Sequence, residues 1–330
     1  MHNVRKETVA GRHINEKRSA LVRGASLLIA AVLFLTSVLI LPAADADAAA
    51  KSGKKRNASM TQVMNGTEVF DFRKAAGQKL YKYDTLQGAC AHDGIAYLTL
   101  YNRKVEKCKI VKVRLDTLEV IKVSAPLKIY HANSLTYNTR KNLLLATCCR
   151  VKQKRAVFID PETLKVVSHK DIKLTGKIKN LPASVRRNYT GFTAIAYNAK
   201  KNCYVGRLRG DNNVIIFNGN LKPKKYVRLK GKKTSLLNQG MDSAGNYIYD
   251  VRSFKGRSRY SMVTVHTMSG QFVGRVRFPY GRFPGLELQC IFHDGMQFYA
   301  GIYYTTSQIH DFASFHVRRT NTLYYLHNMF

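Results

Sequence analysis

The sequence contains no tryptophan, only seven prolines and only 20 acidic residues among 330. Without tryptophan, a sugar-stacking platform would have to rest on tyrosine, which weighs against a neutral-glycan site. The acids face 55 Lys and Arg, giving a formal net charge of +35, extreme for this length. Such a balance calls for polyanionic surroundings and says nothing about fold. No convincing helical period runs through the chain beyond its first fifty residues. A phosphate-loop fingerprint and a metal-cluster spacing are both lacking, so no cofactor and no metal site is expected. Disorder of the whole chain is excluded, because 45% apolar residues can bury a full core. The length allows one large all-β domain or two ordinary ones.

One long hydrophobic run is present. Residues 1–23 are polar and basic, with Arg5, Lys6, Arg12, Lys17, Arg18 and Arg23. Ala25 to Ala43 then carries no charge, and Ala44 to Ala50 offers several A-x-A cleavage sites. That order predicts a secretory signal peptide over residues 1–50. The alternative is a retained membrane anchor, since the run is long enough to span a bilayer. The long basic leader resembles those of Gram-positive bacteria, so a secreted or cell-surface protein of such an organism is expected. Residues 1–50 hold six basic and four acidic residues, leaving 49 against 16, a net +33, on the exported part. Residues 51–65 are polar and basic and read as a flexible tether to a domain over 66–330.

The rest of the chain shows short β-branched and aromatic runs separated by Gly, Asn and Asp turns, the pattern of antiparallel sheet. It also repeats itself. Gln87–Leu98, Gln239–Asp250 and Gln289–Ala300 each begin with Gln, turn in the middle and carry Tyr ten residues after the Gln (Tyr97, Tyr249, Tyr299). Looser copies start at His131 and Tyr189, each with an apolar-x-Tyr-Asn turn (Tyr137-Asn138, Tyr197-Asn198). Every unit continues into a second hairpin, as at Asp160-Pro161-Glu162-Thr163 and Asn218-Gly219-Asn220; Ser314–Val317 and Leu323–Leu326 form the last pair. Four short strands per unit over five units predict an all-β chain folded as a single β-propeller of four-stranded blades. Five blades are expected, with a sixth, degenerate blade as the alternative, and Thr67–Phe72 is placed to complete the ring beside the last unit.

The Asp-Pro-Glu-Thr turn and the hydrophobic-Tyr-Asn strand ends resemble the YVTN/quinoprotein-like group of bacterial propellers, over residues 66–330. That resemblance implies architecture and not activity, because such folds host unrelated functions.

In a propeller the first strand of each blade lines the central channel, so equivalent positions form a ring. By the repeat alignment Gln87, His131 or Asn133, Thr193 or Tyr189, Gln239 and Gln289 converge at one axial mouth, where a small polar ligand would find amides, an imidazole and a hydroxyl. Gly88 and Gly240 follow two of the glutamines and let backbones approach closely. Any single glutamine also has a bland role, hydrogen-bonding water and its neighbours at an open channel.

A second, partial resemblance is to the five-bladed, propeller-type glutaminyl cyclases. Thr85-Leu86-Gln87-Gly88 and Leu286-Glu287-Leu288-Gln289 look like two of their motifs. The chain departs from that pattern in lacking the leading Asn, in carrying Gln289 for the second acid and in having no Trp-containing motif. What the resemblance implies is a single catalytic candidate, Glu287, as the base for an intramolecular amide attack.

The histidines lack metal spacing, and His92-Asp93 and His293-Asp294 occupy related turns, which favours a turn role. Of the six cysteines, Cys90, Cys203 and Cys290 lie in apolar strands as small core residues, and at most one or two disulfides are expected. The basic residues form clusters, the densest between Lys200 and Lys233, where eleven Lys and Arg face one acid, Asp211. Lys222, Lys224, Lys225, Arg228, Lys230, Lys232 and Lys233 are the candidate polyanion-binding set. Charged outer strands also serve solubility and edge protection. A balanced surface would serve equally well, so the excess points to an anionic partner. Anionic cell-wall polymer or an acidic glycan suits an exported chain better than nucleic acid, and membrane contact is expected only through an uncleaved leader. The function expected is that of a binding module; the alternative is a cyclase-like enzyme.

Overall fold

The computed structural model describes residues 61–63, 66–71, 77–80, 82–148, 154–210, 212–231, 236–253, 260–279, 286–304 and 320–326. The leader, most of the expected tether, Cys149, Lys232, Lys233 and the expected strand Ser314–Val317 lie outside the described residues. The chain is an all-β propeller whose described strands form five antiparallel sheets, each of four consecutive ladder neighbours.

The first blade is β3 (Thr85–His92), β4 (Ile95–Asn102), β5 (Lys107–Arg114) and β6 (Val120–Val123); the second is β7 (Leu135–Asn138), β8 (Leu143–Thr147), β9 (Arg155–Ile159) and β10 (Val166–Asp171). A short helix, α1 (Ala183–Arg187), precedes the third, β11 (Phe192–Asn198), β12 (Cys203–Leu208), β13 (Val214–Asn218) and β14 (Pro223–Val227). The fourth is β15 (Leu237–Ala244), β16 (Tyr247–Ser253), β17 (Tyr260–Thr267) and β18 (Phe272–Pro279), and the fifth begins β19 (Leu286–Asp294), β20 (Gln297–Tyr304), β21 (Thr320–Leu326). The fifth blade's outermost strand comes from the start of the domain: β2 (Gly66–Asp71) pairs antiparallel with β21. The earlier segment Thr61–Val63, which composition assigns to the tether, forms β1 and pairs parallel with β18, giving the fourth blade a fifth strand.

Each innermost strand lies against the innermost strands of two neighbouring blades, β3 against β7 and β19, and β15 against β11 and β19, so the ring closes on itself. Alternation along the strands places apolar side chains on both faces of every sheet. They gather into clusters between neighbours: Cys108, Ile110 and Leu144 between the first and second blades, and Phe158, Ile195 and Phe217 between the second and third. Val205 and Ile248 join the third and fourth, Val263 and Ile291 the fourth and fifth, and Leu98 and Phe292 the fifth and first. Each fully buried aliphatic or aromatic side chain of this kind contributes about 1.5–3 kcal/mol of transfer free energy.

Polar stitches fix the order of blades. Asn138 and Asn198, the ends of the Tyr-Asn motif, accept from Lys141 N (3.0 Å) and Lys201 N (3.0 Å), closing their own turns. Their amides reach the next blade, Asn138 Nδ2 donating to Tyr204 Oη at 2.6 Å and Asn198 Nδ2 to Ser243 Oγ at 3.0 Å. At Asp160-Pro161-Glu162-Thr163 the aspartate accepts from Thr163 N (2.6 Å) and Glu162 N (3.1 Å), and those bonds hold its carboxyl below the usual range. Glu162 then reaches Lys112 Nζ of the first blade at 2.7 Å. The five described cysteines, Cys90, Cys108, Cys148, Cys203 and Cys290, are all buried free thiols, so no bridge forms among them.

Candidate functional site

A β-bulge interrupts the innermost strand of four blades at the same place: Leu86/Ala89, Phe192/Ala194, Asn238/Met241 and Leu288/Cys290. The residues in the gaps are Gln87-Gly88, Thr193, Gln239-Gly240 and Gln289. A bulge adds a residue on one strand and re-aims its side chain, which explains why the aligned glutamines recur there. The two glycines sit where neighbouring blades meet backbone to backbone. A Cβ on Gly88 would lie 2.8 Å from Leu135 N, and one on Gly240 would lie 2.7 Å from Gln289 O. In the second blade the regular strand starts at Leu135, so Asn133 and His131 approach the hub from the preceding segment.

A chain of hydrogen bonds crosses the hub. Asn133 Nδ2 donates to Gln239 Oε1 at 3.3 Å, and Gln239 Nε2 donates to Glu287 Oε1 at 2.6 Å. Gln289 also hydrogen-bonds Glu287. Burial pushes the Glu287 carboxyl above its usual value, while the two amides and the Arg103 guanidinium pull the other way. Gln87 Nε2 donates to Leu86 O at 3.0 Å. Two amide oxygens, Gln87 Oε1 and Gln289 Oε1, are buried without a hydrogen-bond donor, on side chains 1% and 2% exposed.

His131 stacks edge-on against Tyr101, ring centroids 4.9 Å apart. Burial lowers its pKa to about 4, helped by Arg103 and Arg209 and opposed by a hydrogen bond with Asn133, so the imidazole is neutral at pH 7. Thr193 serves Arg207, accepting from its Nε at 3.0 Å. Tyr189 does not join the hydrogen-bonded set. Its ring packs on Phe192 at 5.3 Å in the cluster between the second and third blades, and its hydroxyl donates to Ile172 O at 3.1 Å. An aromatic three residues ahead of an apolar strand gains more from that cluster than from a wet channel. It also lines a cleft of about 320 Å³ between α1 and the β12–β13 turn, with Ser184, Asn188, Leu208 and Arg209.

Sequence reasoning missed the support beneath Gln239. Arg207 and Asp250 are wholly buried and ion-paired, and Asp250 Oδ2 also accepts from Arg252 Nε at 2.6 Å. Arg207 donates to the backbone carbonyl of Gln239 and reaches that of Gly240 at 3.4 Å. Arg252 donates to Asn212 Oδ1 at 2.9 Å and to Asn238 Oδ1. Its pKa is lowered to about 10 by burial, so it stays charged at pH 7. Charged residues inside otherwise apolar strands, CYVGRL and YIYDVRS, were the available signal. His293 likewise leaves its expected turn role, its Nδ1 lying 2.6 Å from Asp242 Oδ2 of the neighbouring blade.

On the exterior, Lys222, Lys224, Arg228 and Lys230 are exposed and Lys225 is half-buried on or beside β14. The segment around Lys179 runs parallel to that edge, with Lys179 N donating to Lys224 O at 3.0 Å and Tyr226 N donating to Lys179 O at 2.9 Å. Lys173, Lys177 and Lys179 are exposed. Tyr226 is buried, its hydroxyl accepting from Asn213 Nδ2 at 2.7 Å. Among the described residues no group of three or more His, Cys, Asp or Glu is placed to hold a metal.

No family model matches the sequence, and no curated protein does either. Solved structures resemble it in fold. The tail fibre of Staphylococcus aureus phage P68 aligns with 80% of this chain at 14% identity and a TM-score of 0.50, and the chain spans about half, 52%, of the fibre's length. Regucalcin, a calcium-binding protein from Agrobacterium tumefaciens, aligns with 82% of the chain and 97% of its own at 11% identity and a TM-score of 0.42. A member of the DUF4221 family from Bacteroides vulgatus aligns with 81% and 99% at 11% identity and a TM-score of 0.41. At these identities the likeness concerns fold alone.

Proposed function

We propose that this propeller is a binding module of the bacterial cell surface, holding an anionic wall polymer or acidic glycan on its basic exterior and a small polar ligand at its hub. The observation that carries the reading is the pairing of the Lys179 segment with β14. It sets Lys177 and Lys179 beside Lys222, Lys224 and Lys225, residues far apart in the chain. Edge protection requires one or two lysines on an unpaired strand. Here a second segment already covers part of that edge, and it brings more positive charge. The burial of Tyr226 removes the aromatic nearest this patch, and single-stranded nucleic acid is held by such rings between cations. A polymer recognised by charge alone therefore suits the surface better. At the hub, amides on bulges give a ligand fixed polar partners.

Binding of the full chain to purified teichoic acid tests the exterior. Affinity is expected to fall steeply between about 0.05 and 0.5 M salt as the charges are screened, and to fall further in a Lys222→Gln, Lys224→Gln, Lys225→Gln variant. Salt-independent binding would count against it. For the hub, Gln87→Ala with Gln239→Ala is expected to leave folding intact and remove retention of the ligand.

A further inference from the structure

We infer that the hub ligand carries a primary ammonium group at the end that enters the channel and an anionic group at the end that faces the rim. The inference rests on the hub being a ligand site and names what that site selects.

The hub is rich in acceptors and short of donors. Gln289 belongs to the hydrogen-bonded set around Gln239 and Glu287 and leaves its amide oxygen buried with no donor. Gln87, at the same bulge position on β3, leaves a second. Buried carbonyl oxygens left in this state cost free energy that a bound donor recovers. Glu287 adds a carboxylate whose hydrogen bonds come from the neutral amides of Gln239 and Gln289. Among the described residues no cation makes an ion pair with this half-buried carboxylate, and Arg103 acts on it only from farther away.

An ammonium group meets these demands together, with three N–H donors and one positive charge. A neutral polyol would bring donors and leave the carboxylate unmatched. The rim has the opposite sign. Arg103 lies on the exposed β4–β5 turn and Arg209 on the β12–β13 turn, both near enough to His131 to oppose its protonation. His131, neutral at pH 7, contributes no charge between hub and rim. A ligand lying along the axis with its ammonium inward would turn its other end toward these two guanidinium groups, which favour a carboxylate or phosphate there.

The test is calorimetric titration of the full chain with 5-aminopentanoate, and with pentylamine, pentanoate and N-acetyl-5-aminopentanoate as controls. The zwitterion is expected to bind most tightly. Acetylating its nitrogen should weaken binding roughly tenfold or more, the loss of a charge-assisted hydrogen bond. Pentylamine should bind more weakly than the zwitterion, and pentanoate not measurably. Glu287→Gln should weaken the zwitterion roughly tenfold or more. Gln87→Leu, which removes one unpaired acceptor and no charge, should weaken it several-fold and guards against misfolding of the first variant. Equal binding of the acetylated compound, or no loss with a folded Glu287→Gln protein, overturns the inference. If none of the amines binds while Gln87→Ala with Gln239→Ala still abolishes retention at the hub, the ammonium assignment fails and the hub remains a site for another polar ligand.

Discussion

Asn133 and Gln239 belong to the second and fourth blades, which are not neighbours in the ring, yet the side-chain amide of one donates to the carbonyl of the other at 3.3 Å. The bond spans the axis and continues into Glu287 of the fifth blade. Three blades are thereby tied through side chains at their inner openings. Asn133→Ala is expected to lower the unfolding free energy by about 1–3 kcal/mol, because Gln239 Oε1 is left buried without a donor. In a double-mutant cycle with Gln239→Ala the double variant should lose less than the sum of the two single losses, measured by urea denaturation. Strict additivity would mean the contact contributes nothing.

Gly88 and Gly240 mark two places where backbone meets backbone. Each alanine substitution puts a methyl group within 3 Å of a neighbouring main chain that has no flexible end to swing aside. Both are expected to destabilise the fold by about 1–3 kcal/mol, as overpacking does. Urea midpoints equal to that of the unaltered protein would show that the blades separate easily there.

Arg207 holds the Gln239-Gly240 bulge by its backbone while pairing with Asp250 in full burial. Arg207→Met should cost about 3–5 kcal/mol, since Asp250 loses one of its two cationic partners and the bulge carbonyls lose their donor. Arg207→Lys keeps the charge but not the planar fork, and should recover only part of that loss. Thermal or urea unfolding reads both, and a lysine variant as stable as the parent would assign the whole effect to charge.

The histidines give stability a pH dependence of known sign. His266, 5% exposed, is pushed down from 6.5 to about 4 by burial, against the pull of its bond to Lys230 O and with the help of Arg252. Its folded form resists protonation, so its contribution is intact above about 6.5 and is lost as pH falls toward 4. His131 acts in the same direction. His293 acts oppositely, because the Asp242 carboxylate raises its pKa against burial, with Asp294 adding to the rise. Its contribution is present below 6.5 and fades as pH rises through the raised value. His266 and His131 therefore both lower the urea midpoint as pH falls from 7.5 to 5, and His266→Gln should shrink that fall. In Asp242→Asn the His293 titration followed by NMR should move down in pH; an unmoved titration would remove Asp242 as the cause.

Much of the architecture was readable from repetition. The Gln-led openings, the Tyr-Asn strand ends and the Asp-Pro-Glu-Thr turn are local solutions to problems that recur once per blade, so they print a period on the chain. Asn138 and Asn198 close their own turns and reach the next blade with the same side chain, and either task alone would make the motif recur. The expected hub set was placed by the same periodicity, and its weakest member, Tyr189, came from one of the two looser copies, where spacing could not separate Thr193 on the strand from the residue four positions earlier.

Other parts had no local signature. That Arg207 would sit under Gln239, or Asp242 beside His293, depends on which strand of the next blade comes alongside and at what height. Pairing of Lys179 with Lys225, like the parallel addition of Thr61–Val63 to β18, joins segments through backbone hydrogen bonds to which side-chain patterns are nearly blind. Sequence by itself determined the sheet character, the repeat, the charge and the glutamines at blade openings, because alternation, turn chemistry and composition are properties of neighbouring residues. Only the tertiary structure decided which of those amides meet, which charges are buried and where two basic segments merge, because these depend on distances across the ring that no window of the chain contains.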